Sequence, residues 1–287
     1  MEASATVGGA LTGFFAPCTD SWNGMPGSRG FGICVKAGVS VHMHAEPSRR
    51  WAVVAQARGV PCDISVVSHV ARRMEAYCDV AYAVSLSIEP ALPVGCGYGM
   101  SASTAVAAAQ CLSRLADRRP PVWELAYEAD VVTGGGRGDV VTLRHGGALV
   151  RREPGLWGAC SPIPAEDVTV VCGTFGPVST AGVLADPSVS HTLAQSGDAC
   201  LSELGRLPTL ERAMELSFRS ARAGPLCTPR VAAALDTLFP VLSLPPAQAM
   251  LGESVFCCCV PGEAALAKHI LSRLGAQTDV TTVGAGA

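Results

Sequence analysis

The chain is short of lysine: only Lys36 and Lys268 stand against nineteen arginines. No G-x-x-x-x-G-K-[ST] segment occurs, which excludes a phosphate loop of the Walker type, whose lysine reaches the β- and γ-phosphates. Charge is scarce too, at 16% of residues and a net −3, so nothing recommends a nucleic-acid or anionic-membrane partner. No apolar run approaches the roughly 20 residues that span a bilayer. The N-terminus lacks the basic start and sustained apolar core of a signal peptide, and a cytoplasmic location is expected. Cysteine is plentiful at thirteen residues, yet the count is odd and no C-x-x-C pair occurs. Cys257-Cys258-Cys259 lies in an apolar run that reads as buried strand, so reduced structural thiols and no zinc site are expected.

Hydrophobic residues make up 49% of the 287, ample for a large core. Short apolar or alternating segments predict strands over 7–15, 32–37, 39–44, 51–58 and 81–88, with helical spacing over 66–78. Helices are expected over 103–115 and 122–131, and a strand over 147–151. The Pro/Gly-rich stretch 152–165 is the expected boundary, dividing the chain into units 1–160 and 161–287. The second unit reads as strand 168–172, helices near 191–205, 210–223 and 231–239, strand 255–260, helix 264–274 and strand 279–283. Without a regular βαβ rhythm, the fold class is α+β.

The most informative segment is Pro93-Val94-Gly95-Cys96-Gly97-Tyr98-Gly99-Met100-Ser101-Ala102-Ser103-Thr104, which runs into an alanine-rich helix former. Alternate glycines let a backbone turn tightly and approach a ligand closely. The helix mouth beyond them offers free N–H groups and a positive dipole end to an anion. Pro93, Gly95, Gly97, Gly99, Met100, Ser101, Ala102 and Ser103 are therefore candidate phosphate contacts. A plain glycine turn before a buried helix accounts for the loop alone equally well.

Two carboxylates sharpen the phosphate reading. Glu128 lies on the next predicted helix, and Asp139 follows eleven residues later beside a second glycine turn, Gly134-Gly135-Gly136-Arg137-Gly138. Ser101 and one carboxylate suit Mg²⁺, a hard cation that takes oxygen ligands and phosphates, and the other carboxylate can orient or deprotonate a hydroxyl. Phosphoryl transfer needs those parts.

Together these residues resemble the GHMP kinases, whose central motif reads roughly P-x-x-x-G-L-G-S-S-A. Pro93, Gly97, Gly99, Ser101 and Ala102 fall on it in register, with Tyr98 for the usual Leu and Met100 for the first Ser. The resemblance implies ATP as phosphate donor, Mg²⁺ on Ser101 and Glu128, and Asp139 as catalytic base. It also implies an N-terminal domain like ribosomal S5 domain 2 and a ferredoxin-like C-terminal domain. Segments 11–15 (LTGFF), 27–32 (GSRGFG), 176–180 (GPVST) and 250–256 (MLGESVF) look like the archaeal pantoate-phosphorylating branch. That branch implies pantoate as the small-molecule partner, in coenzyme A biosynthesis; a homodimer is expected separately, and the charge recommends no nucleic acid or membrane partner. Mevalonate, homoserine or ribosyl acceptors, and a non-catalytic ligand sensor, are the alternatives.

Pantoate carries a carboxylate, for which a guanidinium is the natural bidentate partner. Arg29 and Arg151 are the candidates, with Arg152 as an alternative to Arg151 and Ser28 as a hydroxyl contact. The lysine that assists the base in some relatives is missing, and Arg137 is the nearest cation in sequence to Asp139.

Overall fold

In the computed structural model, which describes residues 1–57, 59–61 and 65–287, two β-sheets pack with nine described helices longer than a single turn. The first sheet grows from one long hairpin. Strands β1 (Glu2–Trp22) and β2 (Met25–Ser48) pair antiparallel from Glu2 opposite His44 to Trp22 opposite Met25. Asn23 and Gly24, both at positive φ, close it with the two-residue turn whose twist suits paired strands. The strands expected over 32–37 and 39–44 are thus a single strand. Gly38, which punctuates the sequence, sits where the Val7 carbonyl comes too close for any side chain, and the ladder shifts register beside it.

Strands β3 (Ala52–Ala57), β4 (Val60–Pro61), β5 (Ala81–Pro90), β6 (Ala148–Arg151) and β7 (Cys160–Ile163) complete this sheet. Its order is β4-β3-β5-β2-β6-β7, with β1 also on β2, and only β3 and β5 run parallel. Arg58, the last residue of the strand expected over 51–58, lies outside the described residues, as does Cys62. Strand β7 falls in the stretch expected as a boundary and pairs with β6, so the 160/161 division cuts an edge strand of the first sheet.

Helices α1 (Ser65–Met74), α2 (Met100–Leu112), α3 (Val122–Val132) and α4 (Asp139–His145) pack with this sheet. In α2, Ala102, Ala105, Ala107, Ala108 and Ala109 are all fully buried. Their small side chains let the helix lie against β1, α1 and α3 at once, which fixes the glycine loop that feeds it.

The second sheet has the order β11-β8-β10-β9, all antiparallel, from β8 (Thr169–Gly176), β9 (Ala247–Gln248), β10 (Glu253–Cys259) and β11 (Gln277–Thr282). Around it lie α5 (Thr180–Ala185), α6 (Pro187–Leu204), α7 (Leu210–Ala223), α8 (Pro229–Leu238) and α9 (Ala264–Arg273). Helices α6 and α7 pack on β1, and one apolar cluster runs from Phe14 and α2 through Cys172, Met214 and Phe256. The chain end ties back to the first sheet, with Gly284 N–H on the Cys34 carbonyl (2.9 Å) and Ala287 N–H on Leu143 (2.9 Å). The described cysteines are free thiols, most of them buried. Among the described residues no helix is long and apolar enough to cross a membrane.

Candidate functional site

Gly95, Gly97 and Gly99 all take the left-handed conformation, with φ of 76°, 80° and 67°. Glycine is required there on two counts. A side chain at Gly97 would strike the Ala249 and Met250 carbonyls, and one at Gly99 would strike Ala10. The loop is thereby pressed between β1 and the turn after β9. Tyr98 at its crest is buried, with its hydroxyl 2.6 Å from Thr174 Oγ1 on β8. Helix α2 opens at Met100 with no side-chain cap, so its first N–H groups stay available to an anion.

Two cavities flank this loop and meet at Met100 and Ser101. The first, about 80 Å³, is lined by Thr12, Phe15, Ser28, Gly95, Gly97, Tyr98, Gly99, Gly135, Gly136, Arg137, Gly138, Asp139, Arg151, Met250 and Leu251 as well. The second, about 270 Å³ and largely apolar, is lined by Val66, Val67, Ile88, Pro90, Val94 and Thr104, among others. Pro93 and Ala102 line neither cavity, and Ala102 is fully buried. Ser103 does not either: its hydroxyl bonds the Gly8 carbonyl (2.6 Å) and the Gly99 carbonyl (3.0 Å), which bolts α2 to β1.

Of the two carboxylates expected at the site, only Asp139 reaches the first cavity. Glu128 does not line it. Its oxygens bond His69 Nε2 at 3.0 Å and Arg73 Nε at 3.2 Å, joining α3 to α1. The acid on the inner side is Asp130, 1% exposed, with neither carboxylate oxygen hydrogen-bonded. Residues two apart on a helix point about 200° apart, so Glu128 and Asp130 cannot share a face. Burial pushes the Asp130 carboxyl up to about 8; the Asp139 charge adds to the push and the Ser101 hydroxyl opposes it. Such an acid, unpartnered and beside a hydroxyl at the helix mouth, fits a divalent cation. The second glycine turn exists for close approach: a Cβ at Gly135 would meet Asp130 Oδ1, and one at Gly136 would meet Asp139 Oδ2.

Asp139 opens α4, and its Oδ1 accepts from Thr12 Oγ1 at a long 3.4 Å. Burial raises its pKa, while the Arg151 charge and Thr12 hold it back. The cation working on Asp139 is therefore Arg151, on β6, rather than Arg137, although both line the cavity. Arg151 is 1% exposed, donates from Nη1 to Thr142 Oγ1 at 2.8 Å and has no partner for its Nε. Ser28 is buried alongside, and an added Cβ on Gly138 would sit 2.6 Å from both Arg151 Nε and Ser28 Oγ.

Arg29 is turned away. Consecutive strand residues face opposite sides, so with Ser28 inward Arg29 points out and pairs with Asp198 of α6 at 2.7 Å. The same alternation separates Arg151 from Arg152, whose Nε bonds Ser161 Oγ at 3.1 Å. Thr12, Phe15, Met250 and Leu251, from the segments 11–15 and 250–256 singled out in the sequence but given no role there, line the first cavity, and Asp130 is buried behind the second glycine turn. For Asp130 the helical phase is a usable signal; for the others the segments are visible in sequence, and the fold supplies their place in the cavity.

Comparison with known proteins agrees with this geometry. Residues 65–147 match the family model for the GHMP kinases N terminal domain. The chain is 28% identical over 257 residues to a pantoate kinase of Methanocaldococcus jannaschii, covering 87% of this chain and 90% of that protein. It is 28% identical over 292 residues to a pantoate kinase of Thermococcus kodakarensis, covering 99% and 96%. Among solved structures, a phosphotransferase related to the CoA biosynthesis pathway superposes with a TM-score of 0.88 at 27% identity, covering 99% of this chain and 97% of that one. The glycine loop at a helix mouth and Asp139 line one cavity, residues 65–147 match the GHMP kinases N terminal domain, and the chain is similar along nearly its whole length to pantoate kinases and to a CoA-pathway phosphotransferase.

Proposed function

We propose that the chain is an ATP-dependent kinase that phosphorylates the primary hydroxyl of pantoate to 4-phosphopantoate, a step toward coenzyme A. The observation that carries this reading is one cavity that joins the glycine loop, Asp139 and Arg151, whose guanidinium Nε has no partner. The pantoate kinases similar along most of its length supply the acceptor. Within the cleft, the loop 95–101 holds the nucleotide phosphates through backbone N–H groups, and the apolar cavity beyond Ser101 receives the base. Arg151 and Ser28 hold the acceptor carboxylate. Asp139 takes the hydroxyl proton as the new O–P bond forms, and the bond from the γ-phosphorus to its bridging oxygen breaks to release ADP. Ser101 and Asp130 are the residues that would hold Mg²⁺. When bound, that ion neutralises charge on the transferring phosphoryl group.

The test is ADP formation with Mg-ATP and pantoate, mevalonate or homoserine. Stimulation by pantoate is expected; stimulation by a different acceptor alone moves the substrate, and by none removes the activity. Asp130→Asn is expected to raise the Mg²⁺ concentration for half-maximal activity by at least about tenfold. Burial opposes ionisation of Asp130, so proton release is expected when Mg-ADP binds, and calorimetry in buffers of different ionisation heat should find less of it in the variant. Glu128→Gln should change stability by about 1 kcal/mol at most and leave the Mg²⁺ requirement alone. Gly138→Ala should displace Arg151 and Ser28 and lower kcat/KM for pantoate by about 10²-fold, with an unchanged circular-dichroism spectrum.

A further inference from the structure

The first cavity has two chemically different kinds of surface. Thr12, Ser28, Asp139 and Arg151 are polar, whereas Phe15, Met250 and Leu251 belong to one continuous apolar cluster. Leu251 holds φ at +66°, a conformation that glycine or asparagine adopts without strain and a branched, bulky residue seldom does. Its neighbours force it. Met250 N–H bonds the Thr12 carbonyl (2.9 Å), Ala249 N–H bonds Ser254 (2.9 Å), and Gly252 is backed against the Cys96 carbonyl. Strain kept at a cavity wall marks a side chain needed in that place.

Resting on the pantoate reading above, we infer that Phe15, Met250 and Leu251 set acceptor specificity by packing against the two methyl groups of pantoate's quaternary carbon. That carbon lies between the hydroxyl presented to Asp139 and the carboxylate presented to Arg151. An acceptor with a bare methylene there reaches both polar ends and leaves the apolar wall uncovered. Each missing methyl in such a pocket lowers kcat/KM by about 10- to 200-fold.

The experiment compares kcat/KM for pantoate and for 2,4-dihydroxybutanoate, which lacks both methyls, in wild type, Leu251→Gly and Met250→Ala. Glycine is compatible with the positive φ, so Leu251→Gly removes the side chain without straining the turn. Wild type is expected to prefer pantoate by about 10²-fold or more, and either variant to cut that ratio by about tenfold or more, mainly through pantoate. Should Leu251→Gly prove insoluble, Met250→Ala decides alone. A wild type indifferent to the methyls, or variants that keep the wild-type ratio, overturns this inference and leaves the kinase reading standing. Transfer to neither acceptor overturns the pantoate reading itself.

Discussion

Replacing Asp139 by Asn should lower kcat by about 10²- to 10⁴-fold while ATP affinity stays within a few-fold of wild type. Asparagine keeps the size of the side chain and can still accept from Thr12, but it cannot take the acceptor's proton. Steady-state kinetics against a separate nucleotide titration divides the two effects, and turnover at the wild-type rate would refute the assignment. The environment adds a pH signature. Burial raises the Asp139 pKa, so a base that must be ionised loses activity, as pH falls, earlier than an ordinary aspartate would. The acid limb of the wild-type kcat/KM profile is expected above the usual carboxylate range, and Asp139→Asn abolishes that limb along with the rate.

Asp139 and the glycine loop are legible in the sequence for physical reasons. Left-handed backbone at Gly95, Gly97 and Gly99 demands glycine, and a loop feeding a helix leaves a local signature that needs no fold to read. Glu128 and Arg29 depart from expectation for one reason: residue type and spacing carry no phase. Glu128 has the spacing, yet its helix turns it toward His69 and Arg73 and delivers Asp130 instead. Arg29 has the chemistry, yet strand alternation gives the cavity to Ser28. Proline and glycine content marks a boundary at 160/161, yet the stretch contributes an edge strand that pairs with β6. The apolar wall is a different case. Phe15 and Met250 meet only because the turn after β9 docks on β1, a contact that no local pattern announces.

Arg151→Gln should cost kcat/KM for pantoate about 10²- to 10³-fold, the loss typical when one partner of a buried, hydrogen-bonded charge pair is truncated. Two roles meet in this one side chain, and they can be told apart. As carboxylate partner, Arg151 acts through the planar fork of its guanidinium, which neither Gln nor Lys reproduces. As the cation beside Asp139, it acts through charge, which Lys restores. Removing the charge leaves Asp139 buried with only Thr12 to favour its ionised form, so its pKa rises further. The sign follows: the base must be deprotonated to work, and the acid limb of kcat/KM moves to higher pH in Arg151→Gln. Arg151→Lys should bring that limb back toward wild type while the KM for pantoate stays high. A Gln variant with an unmoved acid limb would show that Arg151 does not tune the base. A Lys variant with wild-type KM would show that the fork is not what grips the acceptor. Because Arg151 is 1% exposed and braced by Thr142, thermal unfolding of both variants belongs in the same experiment, to separate a lost contact from a lost fold.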